Sequence, residues 1–236
     1  MKKYRYDIHI HSALSPCADR LNSPNNILNM AHLTNLDIVA ITDHNSLKQT
    51  YVAGDLQSSY QFIYLYGVEV STIEGYHMLC FLDNVEKAKS MDKILELEYT
   101  TKNNSNQSSM IYDEYDNELY EYPYNLHEST SLSAIDLRNY IDKVEGILIL
   151  AHIERYSSEM IKWVEGHQNT FHAIEVNVNT NIDILFGQYP WLTKMRIVRN
   201  SDAHTIMEIG QKAELIELEE LSVKSFFQSF RGRNDD

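Results

Sequence analysis

Short apolar runs that end in polar residues recur along this 236-residue chain. Residues 4–11 read as a strand in which His9 and His11, two apart, share one face, while Ile8 and Ile10 point the other way into an apolar layer. A loop over 12–23 follows. Pro24 then falls at a first helical position behind Ser23 as N-cap, and Ile27, Leu28, Met30, Ala31 and Leu33 make a helical stripe to about Asn35. The next apolar run, 37–42, is a buried strand, so the opening is a strand–helix–strand unit with a parallel pair and a right-handed crossover. The alternation continues with a helix over 47–59, an extended segment over 61–71 broken at Gly67, a strand over 76–82 and a helix over 85–99. Further on, Ser131 or Ser133 caps a helix over 134–144 that Gly146 ends. A buried strand over 147–151, a helix from 157 or 158 to 165, and strands over 171–177, up to 198 and over 213–218 complete the pattern, before Ser222 caps a last helix.

Between these halves the pattern lapses. Residues 102–109 are a low-complexity polar run that predicts a mobile loop, and 110–115 and 119–122 are two β-type runs around Asp116-Asn117-Glu118, a Tyr-rich hairpin. The hairpin reads either as a solvated decoration or as a flap or dimer contact. No internal repeat and no linker divides the chain, so 1–236 reads as one domain with an insertion at about 100–128.

Composition adds limits. The chain is 43% hydrophobic, enough for a sizeable core, and its formal net charge of −14 argues against a basic groove for long nucleic acid. Nucleotide-sized substrates stay open, because metal ions supply positive charge locally. Two cysteines, Cys17 and Cys80, make no disulfide framework; Cys80 falls within an apolar strand, and Cys17, in the loop with Asp19, reads either as structural or as a neighbour of the candidate ligands. With no signal-type apolar segment and no run long enough for a membrane span, a soluble cytoplasmic protein is expected.

The polar residues at the expected strand ends are His9, His11, His44, Glu69, His77, His152, Asp202 and His204, joined by Asp19 from the first loop. All are competent metal ligands, and barrels of alternating strands and helices gather their chemistry at the carboxyl ends of strands. His32, His127 and His167 fit no such position and read as surface or structural; His172 is a weak substrate-side candidate. Asp43, before His44, could orient that ring or serve as a base.

His9-x-His11, Thr42-Asp43-His44, Gly67-Val68-Glu69, His77, His152 and Ser201-Asp202-Ala203-His204 resemble, in order and spacing, the motifs of the PHP (polymerase and histidinol phosphatase) family, from about Tyr4 to Glu219. The resemblance implies an α/β fold, a distorted TIM-like (β/α)7 barrel, here with a β-hairpin insertion. It also implies two or three divalent ions, Zn, Mn or Fe. Carried over, His9, His11, Glu69 and Asp202 hold the first ion. Glu69 bridges to a second with His77 and His152, and Asp19, His44 and His204 hold a third. Glu69, Asp202 and His204 stand at the reacting centre. The implied chemistry is hydrolysis of a phosphoester by a metal-activated hydroxide. Arg155, three residues after His152, could hold a phosphate oxygen, or pair on the surface with Glu154 or Glu159; Arg20 and Arg199 are weaker candidates.

The substrate implied is a small phosphorylated metabolite or nucleotide. Alternatives within the family are histidinol phosphate and oligonucleotides trimmed by an exonuclease or phosphodiesterase. An alternative of another class is a non-catalytic metal-binding regulatory module.

Overall fold

The computed structural model describes residues 1–99 and 109–231. In chain order its elements are β1 (Lys2–Asp7), α1 (Pro24–Leu33), β2 (Ile38–Val39), α2 (Lys48–Leu56), β3 (Ile63–Tyr64), β4 (Tyr66–Ser71), β5 (His77–Leu82), α3 (Val85–Tyr99), β6 (Met110–Tyr112), β7 (Glu118–Glu121), α4 (Ala134–Lys143), β8 (Ile147–Leu150), α5 (Ser158–Gly166), β9 (Ala173–Glu175), α6 (Ile182–Gln188), β10 (Ile197–Val198), β11 (Glu214–Leu218) and α7 (Val223–Arg231). The predicted polar run lies almost wholly outside the described residues.

Two sheets, β11-β1-β2-β3 and β10-β9-β8-β5-β4, hold the strands. Isolated bridges join them at two seams, Ile10 with Ala203 and His44 with Glu69. Followed through these bridges, β1, β2, β4, β5, β8, β9 and β10 form a ring of seven strands, the expected barrel in distorted form. Its sheets are not one continuous ladder, and β5 runs antiparallel to both β4 and β8. Two further strands extend the first sheet, β11 antiparallel to β1 and β3 parallel to β2.

Strand alternation sorts the core. Leu79, Phe81, Ile147 and Ile149 join Tyr6, Ile8 and Ile38 in one buried cluster, to which α7 adds Phe226, Phe227 and Phe230. The alternate residues Met78, Cys80, Leu82, Leu148 and Leu150 pack against Met91, Leu95, Leu137 and Ile141 of α3 and α4. Capping follows the sequence: Ser23 accepts from Asn26 N, Ser133 forms a capping box with Asp136, and Ser157 accepts from Met160 N.

Several expectations change. β1 ends at Asp7 and not at His11, so Ile8 and Ile10 do not share one layer: Ile8 joins the interior cluster and Ile10 packs beside Ile27 and Leu28 of α1. The break in 61–71 falls at Leu65. Gly67 continues the strand, and a Cβ there would lie 2.7 Å from Thr42 Cγ2 and 3.0 Å from the Phe81 ring. Gly146 likewise serves close approach: Glu145 takes the left-handed backbone after α4, whereas a Cβ on Gly146 would stand 2.8 Å from the Phe81 carbonyl oxygen. α6, capped by Asn181, went unpredicted.

The hairpin is not a solvated decoration. Met110, Ile111 and Tyr112 are buried, Met110 N donates to Ala13 O, and Gln49 pairs with both backbone groups of Tyr112. The outer strand, β7, and the turn over 114–117 face solvent. The insertion therefore braces the loop over 12–23. No helix among the described residues is long and apolar enough to cross a membrane.

Candidate metal centre

Glu69, 1% exposed, stands at the middle of a histidine cluster. Its Oε1 lies 3.0 Å from His77 Nδ1, 3.0 Å from His152 Nε2 and 3.5 Å from His9 Nε2. Its Oε2 lies 3.0 Å from His44 Nδ1 and 3.3 Å from His11 Nε2. Asp202 Oδ1 approaches His9 Nε2 at 3.3 Å and His11 Nε2 at 3.2 Å. Eight of the nine predicted positions converge in this way, with His204 at the rim beside His11, ring centroids 4.4 Å apart.

Asp19 does not join them. It is exposed, and its Oδ1 accepts from Leu21 N within its own turn. Cys17 stands there instead: its sulfur and the ring nitrogens of His11, His44 and His204 lie within 4.8 Å of one another. Two further groups, His9 with His11 and Asp202, and His44 with Glu69 and His77, meet the same condition.

Residues behind the cluster fix which nitrogen each ring offers. His9 Nδ1 contacts both oxygens of Glu175, at 2.9 and 3.0 Å, so it carries a proton and Nε2 faces the centre. Ser15 donates its hydroxyl to Asp43 and therefore accepts from His11 Nδ1, again turning Nε2 inward. Asp43 acts through Ser12 and Ser15 and does not touch His44 directly. Asp7 accepts from Ser201 N, Ser201 Oγ and Gly210 N, which buttresses the segment carrying Asp202. Glu175 and Asp7 were not singled out from the sequence, although Glu175, like Glu69, is an acid in an apolar strand.

The donors fit a cation. His9 Nε2, His11 Nε2 and Asp202 Oδ1 lie 3.2–3.3 Å from one another, and Glu69 borders them by two oxygens, Oε1 at 3.5 Å from His9 and Oε2 at 3.3 Å from His11. A tetrahedral ion with ligand bonds of about 2.0–2.1 Å has edges of about 3.3–3.4 Å. His44 Nδ1 and Glu69 Oε2 face each other without hydrogen-bond geometry, and both, like His152 Nδ1, are buried with no hydrogen-bond partner. Backbone geometry also marks the place: His152 and Asp202 are left-handed, at φ 31° and 54°, and Asn45 after His44 at 53°.

Without cations, protons balance the charges. Burial opposes charge on His9 and His11, but Glu175, Asp202 and Glu69 outweigh it for His9, which is raised well above the ordinary imidazole value. The Asp202 and Glu69 carboxylates beside it outweigh burial for His11 as well and raise it to about 9. Burial lowers His44 to about 3 against the pull of Glu69. Although burial penalises their charge, Glu69 is held well below the carboxylate range by His44 and His9, and Asp202 is lowered by His9 and His11.

Arg155 pairs neither with Glu154 nor with Glu159: its guanidinium, 53% exposed, donates to Asp202 Oδ2 at 2.5 Å. A cleft of about 460 Å³ opens there, lined by Arg155, Asn177, Asn179, Thr180, Asp202 and His204, among others. Arg20 pairs with Glu118 and Glu121 of the hairpin, and Arg199 holds the carbonyls of Asn177, Val178 and Thr180; neither reaches the cluster. His172 bonds Leu148 N before its strand begins and is structural. His127 differs from expectation: carried by the insertion, its ring lies 5.0 Å from that of His44.

No family model matches the sequence. An uncharacterized protein of Methanocaldococcus jannaschii is 29% identical over 99 residues, 38% of this chain and 58% of that protein. The lesion-specific endonuclease Q of Pyrococcus furiosus superposes with a TM-score of 0.71 at 13% identity, over 98% of this chain and 56% of that one. A two-domain Bacteroides vulgatus protein containing a predicted PHP-like metal-dependent phosphoesterase gives a TM-score of 0.59 at 13% identity, over 98% of this chain and 63% of that one. The chain thus spans little more than half the length of the first two. At such identities the likeness speaks for architecture: this chain adopts the PHP-type distorted α/β barrel.

Proposed function

We propose that the protein is a metal-dependent phosphoesterase. The observation that carries this reading is Glu69, a buried carboxylate facing five imidazoles, with Asp202 completing the first group. His9, His11, Glu69 and Asp202 would hold one cation. Glu69, His77 and His152 would hold another, and His44 and His204 face a third position. Divalent cations so held lower the pKa of a bound water and neutralise the charge that gathers on phosphoryl oxygens. Glu175 and Ser15 keep the His9 and His11 rings turned inward. Arg155 leans over Asp202 at the cleft and can offer a phosphate the donors not bound there. His204 Nδ1 faces the Asp202 carbonyl, which leaves Nε2 as the nitrogen it can turn toward the third position. Burial and nearby His11 lower its pKa.

The net charge of −14 favours a small phosphorylated substrate or a nucleotide over long nucleic acid. The likeness to endonuclease Q supports a second reading, a phosphodiester in nucleic acid: one of its structures holds a 27-mer duplex with an abasic lesion at the active site. Hydrolysis of p-nitrophenyl phosphate against bis-p-nitrophenyl phosphate by manganese-reconstituted protein, with a chelated control and His44→Ala, separates these. Monoester preference points to a phosphatase, diester preference to a nucleotide or nucleic-acid substrate. No metal-dependent cleavage of either by protein that demonstrably holds metal would overturn the phosphoesterase reading in favour of a metal-binding module.

Two substitutions test the supporting residues. Glu175→Gln removes the acceptor that orients His9 and is expected to weaken metal binding about 10–100-fold, read by chelator competition. Arg155→Ala removes a charged donor worth about 1.5–3 kcal/mol, so kcat/KM should fall about 10–100-fold while metal content stays unchanged. Unchanged kinetics would return Arg155 to a surface role.

A further inference from the structure

The first loop offers two possible ligands, Asp19 and Cys17, and the fold brings only one of them to the cluster. Both residues are exposed, but Asp19 spends its carboxylate on the turn at Leu21. Cys17 lies with His11, His44 and His204, all four ligand atoms within 4.8 Å of one another. The loop is held in that register from three sides. Ser12 and Ser15 donate to Asp43, Ala13 O accepts from Met110 N of the hairpin, and Asp19 N donates to the carbonyl of His204 itself. A second observation concerns His44: its side chain is 7% exposed, and its Nδ1, 3.0 Å from Glu69 Oε2, lacks a hydrogen-bond partner, as a nitrogen placed for a ligand would.

Resting on the metal reading above, we propose that Cys17, in place of Asp19, is the loop's ligand to the third cation, together with His44 and His204. As the sulfur–metal bond forms, the thiol proton leaves to solvent. Thiolate with imidazoles is a donor set for zinc or ferrous iron, and it disfavours magnesium and calcium, which take oxygen ligands. The other thiol, Cys80, is buried in the core against the Met78 carbonyl and belongs to no ligand cluster among the described residues, so it does not compete.

Cobalt(II) is the probe. Full-length protein is stripped, reconstituted with cobalt, measured for bound metal, and scanned in the near ultraviolet for thiolate-to-cobalt charge transfer. The wild type should show the band. Cys17→Ser should lose it completely while keeping cobalt at the other positions, and Asp19→Asn should retain it. Bound cobalt should also protect Cys17 from iodoacetamide in the wild type. Cys17→Asp, checked for folding by circular dichroism, should bind cobalt without the band. Bound cobalt with no band, or a band that survives Cys17→Ser, would overturn the Cys17 assignment and leave the metal reading standing. Failure of the wild type to retain cobalt would overturn both.

Discussion

Glu69→Gln is expected to lower kcat/KM about 10³-fold, the scale of losing a principal electrostatic group at a reacting centre, and to cut the bound metal. The substitution keeps the shape of the side chain and removes the charge that five imidazoles share. Both oxygens of Glu69 face metal-competent groups, so no neighbour can replace it. In the metal-free protein the change also leaves His9 and His11 with less countercharge in a buried setting. Breaking such a pair costs about 3–5 kcal/mol. Metal analysis, diester kinetics and thermal unfolding of one preparation check the three effects together. Full metal content and activity in the variant would show that Glu69 does not sit between cations.

Metal removal should both stop hydrolysis and change the sign of the pH response of stability. His9 and His11 are raised in the fold, so their contribution is complete below the unfolded imidazole value near 6.5. It is lost as pH climbs through the folded value, about 9 for His11. For His11 alone the loss is on the order of 3 kcal/mol, or about 6–12 °C in Tm for a chain of this size. His44 acts at lower pH: burial keeps it neutral down to about 3, so stability falls as pH drops below 6.5. The metal-free protein should therefore be most stable near pH 6.5. In the loaded protein the metals have displaced those protons and bind more tightly as pH rises. Its Tm should hold or rise from pH 6.5 to 9, and its stability should stand about 4 kcal/mol above that of the metal-free form at a thousandfold excess of metal over Kd. Melting curves with and without chelator at pH 6.5, 7.5 and 9 decide this; a flat profile for the chelated protein would contradict the charge assignment.

The cluster was legible because an apolar run that stops at a histidine or acid announces itself locally. His11, His44, His152 and Asp202 all do so. What the sequence hid depends on distant partners. Glu175 meets His9 across 166 positions, and nothing in Ile174-Glu175-Val176 says which ring it will face. Asp19 and Cys17 are two residues apart in one loop, and only bracing by Asp43, Met110 and His204 decides which of them turns inward. The reversed direction of β5 was hidden for another reason: alternation of apolar residues is the same read either way along a strand. Gly67 suggested a break because glycine is flexible, whereas the fold uses its lack of a side chain beside Thr42 and Phe81.

The two seams of the barrel give the cluster a mechanical meaning. One seam is the bridge between Ile10 and Ala203, next to His9, His11 and Asp202; the other is the bridge between His44 and Glu69 themselves. Cations shared by these side chains would rivet the two sheets together where the backbone ladder is thinnest. Loss of metal would then unfasten the molecule along those lines, so the lifetime of the folded chain, and with it resistance to proteolysis, would be set by the same ions proposed to equip it for chemistry.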